Sequence, residues 1–424
     1  PPTDATWRFK SPKIFAALVR MLRDIDTAEE LAQDALVSAL ERWPRDGVPD
    51  NPGAWLMATA KHRAIDRLRQ YQLHERKHVL LAQELDAERE DAQAREQDAL
   101  DDDIGDDLLR LIFVACHPLL SLEAQVALTL RLLGGLTTPE IARAFLVQEA
   151  TIAQRIVRAK RALSDADIAY EVPRREDLPA RMEAVLGVVY LVFNEGYSAT
   201  AGDDLIRPAL CDEALRLGRL LVDLLPQHAE AHGLLALMEI QASRARARVD
   251  ADGVPILLQD QDRARWDHAA IARGLAALER AGQLSPTPRA YALQAAIAAC
   301  HARAPTAEQT DWPRIAALYA LLAQVSPSPI VELNRAVAIA MAQGPAAGLR
   351  HLDGLRDEPA LLGYPLLAAV EGDLLERLGR HADAAEAFAQ AAALSRNARE
   401  QEVLRQRAQA CATKPGPESI FPTQ

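Results

Sequence analysis

The chain of 424 residues carries 48 Lys and Arg against 60 Asp and Glu, a net charge of −12, with 49% hydrophobic and only 4% aromatic residues. That length exceeds one ordinary core and indicates about two to four domains. The composition excludes wholesale disorder, and an Ala-rich, aromatic-poor chain disfavours sandwiches and barrels. The expected fold class is all-α. Cys116, Cys211, Cys300 and Cys411 are far apart with no CxxC pair, which argues against a zinc or disulfide framework. No run approaches the ~20 apolar residues of a membrane span. The opening PPTDATWRFK has no apolar signal core. A reduced, cytoplasmic protein with no membrane partner is expected. Taken alone, the acidic total speaks against nucleic-acid binding.

The charge is unevenly spread. Residues 1–78 hold 13 basic and 11 acidic side chains. Residues 79–107 hold twelve acids, among them Asp101, Asp102, Asp103, Asp106 and Asp107, against Arg89 and Arg95 only. This block, a linker or an interaction segment, supplies −10 of the −12. The expected segments are 1–78, the acidic linker 79–107, a second unit 108–170, a long helical part 171–412 and a tail 413–424.

Thr27-Ala28-Glu29-Glu30 reads as a capping box opening a helix that runs to Trp43, before Pro44. At 100° per residue, Ala28, Leu31, Ala32, Ala35, Ala39 and Trp43 share the core arc. Glu30, Gln33, Asp34, Val37 and Glu41 face away. After a loop over 44–53, Asn51 caps and Pro52 starts the next helix. There Met57, Ala60, Ala64, Ile65 and Leu68 form one side. Trp55, Thr59, His62, Asp66 and Arg69 form the other, flanked by Arg63 and Arg67. An aromatic on a basic face suits unstacked bases and phosphates, or else packs under a loop.

Past the linker, Thr138 and Pro139 open a short helix with Ile141, Ala142 and Phe145 on its apolar side. A turn over 146–148 leads to a second helix from Glu149. Ile152, Ile156, Ala159 and Leu163 form its packed stripe. Thr151, Gln154, Arg155, Arg158 and Arg161 lie opposite, with Lys160 nearby. This is the pattern of a helix-turn-helix, whose Gln and Arg can contact base edges and phosphates, or of a plain αα-hairpin.

The parts taken in order, AEELAQDALVSALERW, NPGAWLMATAKHRAIDRLRQ, an acidic linker and TTPEIARAFLVQEATIAQRIVRAKRAL, resemble the extracytoplasmic-function group of bacterial RNA polymerase sigma factors over residues 7–165. The resemblance implies that Glu30, Gln33, Asp34, Val37 and Glu41 dock on the β′ clamp of core polymerase, and that the second unit meets the β flap. It implies a minus-ten promoter element read by Trp55, Lys61, His62, Arg63, Asp66, Arg67 and Arg69. It implies a minus-thirty-five element read by Thr151, Gln154, Arg155, Arg158, Lys160 and Arg161. Gln148 stands where the family often has Pro. The acidic linker would thread the basic channel of polymerase in the manner of RNA.

Residues 171–412 read as helices broken by prolines. Gly372, Gly379, Ala384, Phe388 and Ala391 match a tetratricopeptide-like unit, and stepping back 35 and then 34 residues reaches Gly344 and Thr310, with Tyr319 and Pro327 in register. With the N-terminal motifs, this part resembles the sigma subgroup with a long C-terminal helical extension. Asn194, Glu195, Tyr197, Asp260, Asp262, Arg263, Arg265 and Trp266 could form a polar pocket or lock loops to helices. His228 and His232 read as surface residues rather than zinc ligands. No catalytic order, phosphate loop or metal spacing is present, so neither an enzyme nor a cofactor is expected. The chain reads as a promoter-specificity subunit, its C-terminal part regulating in cis or binding a protein partner. The rival reading is a helix-turn-helix regulator with a repeat-type sensor domain, acting without polymerase.

Overall fold

A computed structural model describes residues 2–75, 107–145, 147–166, 168, 170–174, 176–197, 206–250, 255–395 and 397–414. The acidic segment before Asp107 lies outside the described residues, as does the tail beyond Lys414. The fold is all-α. Among the described residues there is no sheet, only isolated bridging such as Val249 with Pro255. No described helix is long and apolar enough to cross a membrane. The chain divides into two compact units, Pro1–Leu191 and Val192–Gln424.

In the first unit, α1 (Pro2–Leu22), α2 (Ile25–Asp46) and α3 (Pro52–Glu75) pack on one another. Ala28, Ala32, Ala35 and Ala39 of α2 meet Ala60 and Ala64 of α3 in a core of fully buried small side chains beside Ile14, Leu18 and Leu56. The core arc expected for α2 is the one observed. Its ends differ. Asp24, not Thr27, is the cap, its carboxylate accepting from the Thr27 amide at 2.6 Å. The helix also continues through Pro44, so the expected 44–53 loop shrinks to 47–51. On α3 the buried positions are Leu56, Ala60 and Ala64, while Met57, Ile65 and Leu68 are only half-buried.

Next come α4, helical over 107–115, α5 (Leu122–Leu132), α6 (Thr138–Ala144) and α7 (Glu149–Asp165). Eight of the nine positions of α4 are buried, which places it centrally, since a helix covered on all sides must lie inside. Asp107 is the first described residue of α4 and is buried, so it does not belong to a solvated linker. The short helix α6 is capped by Thr137 rather than Thr138. The Thr137 amide and hydroxyl both donate to Glu140 Oε2 at 2.8 Å, and the Glu140 amide donates back to Thr137 Oγ1. α7 starts at Glu149 and buries Ile152, Ile156, Ala159 and Leu163, as expected.

α8 (Leu178–Tyr197) leads into the second unit. It contains α9 (Pro208–Leu224), α10 (Ala229–Ala242), α11 (His268–Leu284), α12 (Ala290–Arg303) and α13 (Trp312–Val325). α14 (Pro329–Gln343), α15 (Pro345–Asp353), α16 (Pro365–Arg377), α17 (His381–Leu394) and α18 (Ala398–Thr413) complete it. From α9 onward each helix packs on the next in the chain, the sequential stacking of a solenoid. Gly344 (φ 98°) and Gly379 (φ 75°) occupy equivalent turns, after α14 and after α16, in the left-handed range that favours glycine. Gly372 lets α16 lie against the Phe388 ring of α17. A Cβ there would stand 2.9 Å from ring carbons.

Gly372→Val is expected to cost about 1–3 kcal/mol by overpacking against Phe388. Gly354→Ala, whose Cβ meets nothing closer than 3.5 Å, should stay within about 0.5 kcal/mol of wild type. Urea unfolding of both variants checks the contrast.

Candidate nucleic-acid interface

Three helix faces carry the candidate residues. On α2, Glu30, Gln33, Val37 and Glu41 are exposed. Asp34 is not available in the same way. Its carboxylate pairs with Arg63 Nη1 of α3 at 2.8 Å, and Arg63 Nη2 donates to Ser38 Oγ at 2.7 Å. Arg63 thus clamps α3 to α2. Leu40 and Val37 are each 50% exposed. Together with Glu41, at i+3 and i+4 from Val37, they make an apolar patch with an acidic edge. Leu40 is absent from the expected set, although its spacing from Val37 was legible.

On α3, His62, Asp66 and Arg69 are exposed, while Lys61, Arg67 and Trp55 are half-buried. Trp55 meets Trp43 edge to face, centroids 5.6 Å apart at 65°. Its indole is therefore held by the α2–α3 junction, with part of its surface left to solvent. Arg69 stands 3.8 Å from Asp66.

On α7, Gln154, Arg158 and Arg161 are exposed and Thr151 and Arg155 half-buried along one side. Arg161 makes only a long contact to Asp165, at 3.4 Å. Lys160 corrects the sequence expectation. It is 9% exposed and points the other way. Two residues along a helix is about 200° of rotation, so Lys160 cannot share a face with Arg158. Its Nζ donates to Asp26 Oδ1 at 2.7 Å and to Glu29 Oε2 of α2. Glu29 also accepts from Arg131 Nε of α5 at 2.6 Å. Arg131 Nη1 goes on to the Leu136 carbonyl at the approach to α6.

One buried carboxylate therefore ties α2 to α5 and to the candidate recognition helix. Burial by itself would raise the Glu29 pKa. The charges and hydrogen bonds of Lys160, then of Arg131, outweigh it and hold the carboxyl below its ordinary 4.5. A second polar group ties α1 to α4. Asp107 pairs with Arg110 at 2.9 Å and with Arg20 at 3.1 Å. The Tyr170 hydroxyl reaches the carbonyls of Asp107, at 2.7 Å, and of Ala16, at 3.0 Å.

The polar residues noted near 194–266 mostly lock loops to helices. Glu195 pairs with Arg207, Asp262 caps a 3-10 turn by accepting from Ala264 N, and Asp260 and Arg265 are exposed. His228 and His232 are not surface residues. His228 caps α10, accepting from the Ala231 amide at 3.2 Å, and buried His232 contacts the Pro226 carbonyl at 3.0 Å.

A helical group whose α2 and α3 present outward polar faces, followed by a helix-turn-helix with a cationic outer face, defines a class: promoter-recognition subunits. Comparison with known proteins agrees. Sigma-70 region 2 matches residues 10–73, Sigma-70 region 4 matches residues 110–163, and a family of unknown function (DUF6596) matches residues 181–282. An uncharacterised protein of Rhizobium meliloti (strain 1021) is 44% identical over 405 residues, covering 95% of this chain and 94% of that protein. The chain belongs to the sigma-70 family, as a sigma factor of the extracytoplasmic-function-like type with a C-terminal extension. Its sigma regions give it a DNA-binding role in transcription initiation with core RNA polymerase at promoter DNA.

Glu29→Gln is expected to destabilise the protein by about 3 kcal/mol at pH 7, because it leaves Lys160 and Arg131 underpaired in a buried site. A carboxylate with a depressed folded pKa stabilises fully above its unfolded value of 4.5 and loses that contribution as pH falls through the lower folded value. Wild type and Glu29→Gln should therefore converge in urea stability as the pH is taken from 7 down to 3. A difference that is constant with pH would disprove the assignment.

Proposed function

We propose that α2 docks on the β′ clamp of core polymerase through Glu30, Gln33, Val37 and Glu41, with Leu40 completing the apolar centre of the contact. Exposed aliphatic side chains flanked by acids suit a basic partner surface. The helix-turn-helix group meets the β flap and reads the minus-thirty-five element with Thr151, Gln154, Arg155, Arg158 and Arg161. Gln and Arg at the start and middle of such a helix fit adenine and guanine edges, and the outer arginines fit phosphates. The loop 47–51 and α3 engage the minus-ten element through Trp55, Lys61, His62, Arg67 and Arg69, with Asp66 at the edge of this face. Arg63 and Asp34 hold the two helices in register for that task. The observation that carries the reading is the ordered pair of sigma regions on faces left exposed by the packing of the first unit.

The second unit, a stack of tetratricopeptide-like helix pairs, regulates the first in cis or recruits a protein partner. The repeated glycine turns at Gly344 and Gly379 support the repeat reading. The matched family of unknown function leaves the ligand or partner open.

Reconstitution with core polymerase on a promoter library tests the function. Arg158→Ala is expected to lower minus-thirty-five-dependent transcription about 5- to 150-fold, the effect of about 1–3 kcal/mol at one base contact, with unchanged polymerase affinity. Val37→Asp with Leu40→Asp should do the reverse, weakening polymerase binding whatever the promoter. Tight, specific binding of free promoter duplex without polymerase would instead favour an independent helix-turn-helix regulator. Truncation after residue 174 should alter promoter activity or polymerase affinity; identical behaviour would remove the proposed role of the second unit.

A further inference from the structure

The loops between α10 and α11 carry three arginines, Arg244, Arg248 and Arg263, that form no direct ion pair among the described residues. Arg244 and Arg248 flank the 3-10 turn Ala245–Ala247, and Arg263 opens the turn Arg263–Arg265. The Arg248 guanidinium carbon lies 3.8 Å from the Tyr197 ring centroid, and its Nη1 donates to the Tyr197 carbonyl. Arg244 stands 5.9 Å from the same ring. Arg263 covers the Trp266 ring at 4.7 Å and donates to the carbonyls of His301, at 2.6 Å, and Ala304, at 2.7 Å. Arg244 is near enough to the other two for its charge to act on Arg248, on Arg263 and on His301.

Several described carboxylates near them are engaged elsewhere. Glu195 pairs with Arg207, and Glu239 pairs with Arg219 and Arg273. Asp262 and Asp267 cap turns and helices. Glu400 acts on Arg248 at longer range and accepts from the Ser395 hydroxyl, while Glu308, acting on Arg263, is exposed. Two buried donors in the group, Arg244 Nε and Trp266 Nε1, have no acceptor among the described residues. Buried donors without partners are rare, and like charges crowded in a half-buried site raise the free energy of the empty state. Arg244 is the least tethered of the three, with no side-chain hydrogen bond among the described residues, and so the freest to turn toward a ligand. Trp266 also lines an open cleft of about 730 Å³ with Arg246, Arg265, Asp267 and His268, large enough for the body of a small molecule.

We propose that Arg244, Arg248 and Arg263 form a binding site for the phosphoryl group of a small phosphorylated ligand, whose remainder lies in the cleft over Trp266. Three guanidiniums match a dianion better than a single carboxylate, and the planar edge of Arg244 suits two oxygens of a phosphoryl group. The half-buried setting excludes the backbone of a DNA duplex. The site falls within the part matched by the family of unknown function. It gives the second unit a ligand-sensing role that does not depend on which promoter the first unit reads.

The test uses the full chain and no polymerase, so its outcome is separate from that of the transcription assay. Thermal unfolding and calorimetry are run with sodium phosphate, pyrophosphate or acetate against sodium chloride at matched ionic strength. A saturable rise in Tm with phosphate and pyrophosphate, absent with acetate, is expected. Arg244→Met should weaken the response at least tenfold while unfolding in chloride no earlier than wild type. Arg303→Met, outside the cluster, should respond as wild type does. If Arg248→Met fails to fold for loss of its Tyr197 contacts, Arg244→Met alone decides. No saturable response beyond chloride, an equal response to acetate, or an Arg244→Met response equal to wild type each overturns the proposal.

Discussion

The packing of α2 against α5 and α7 depends on one buried carboxylate. Glu29 lies on α2, next to the exposed faces of that helix, yet it turns inward to meet Lys160 of α7 and Arg131 of α5. Without those cations its burial would be prohibitive, and without Glu29 the Lys160 amine would be buried beside only a solvent-exposed Asp26. The three-way contact sets which sides of α2 and α7 remain outside. Glu30, Gln33, Val37 and Glu41 stay in solvent on one helix, and Gln154, Arg158 and Arg161 on the other. Interior electrostatics thereby orient the two surfaces proposed for polymerase and for DNA.

Cations in this chain do two jobs that look alike in a sequence. Arg63, Arg131 and Lys160 are structural, each joining helices through a carboxylate or hydroxyl. Arg69, Arg158 and Arg161 remain largely in solvent and keep their charge available for phosphates. The balance explains how an acidic protein serves at a promoter. A net charge of −12 opposes binding to free DNA, and weak binding in the absence of polymerase is the expectation that follows.

The second unit is held by neighbour-to-neighbour packing, with glycines where helices close on one another. Gly372 against Phe388 and Gly274 against Ile240 are positions where any Cβ would collide. Such a stack needs no single central core, and its loops are free to gather polar groups. That is where the arginines around Tyr197 and Trp266 collect, supported by the helices on either side.

Much of this was legible in one dimension. Alanine spacing predicts the core arc of α2, the Ile152–Leu163 stripe predicts the packed side of α7, and Gly344 and Gly379 predict turns between helices. These follow from helical periodicity and from glycine's backbone freedom, which are local properties. What needed the tertiary structure was the partner of each charge. Lys160 is adjacent to Arg161 in sequence, but only the approach of α2 carries it into the interior. Thr27 has a capping side chain, yet Asp24 takes the cap because α1 turns at Arg23. Asp107 closes an acidic run but is buried because Arg20 and Arg110 surround it. Charge and cap assignments depend on groups distant in the chain, 131 residues apart for Lys160 and Glu29, or on where a preceding helix stops, and local periodicity does not encode them.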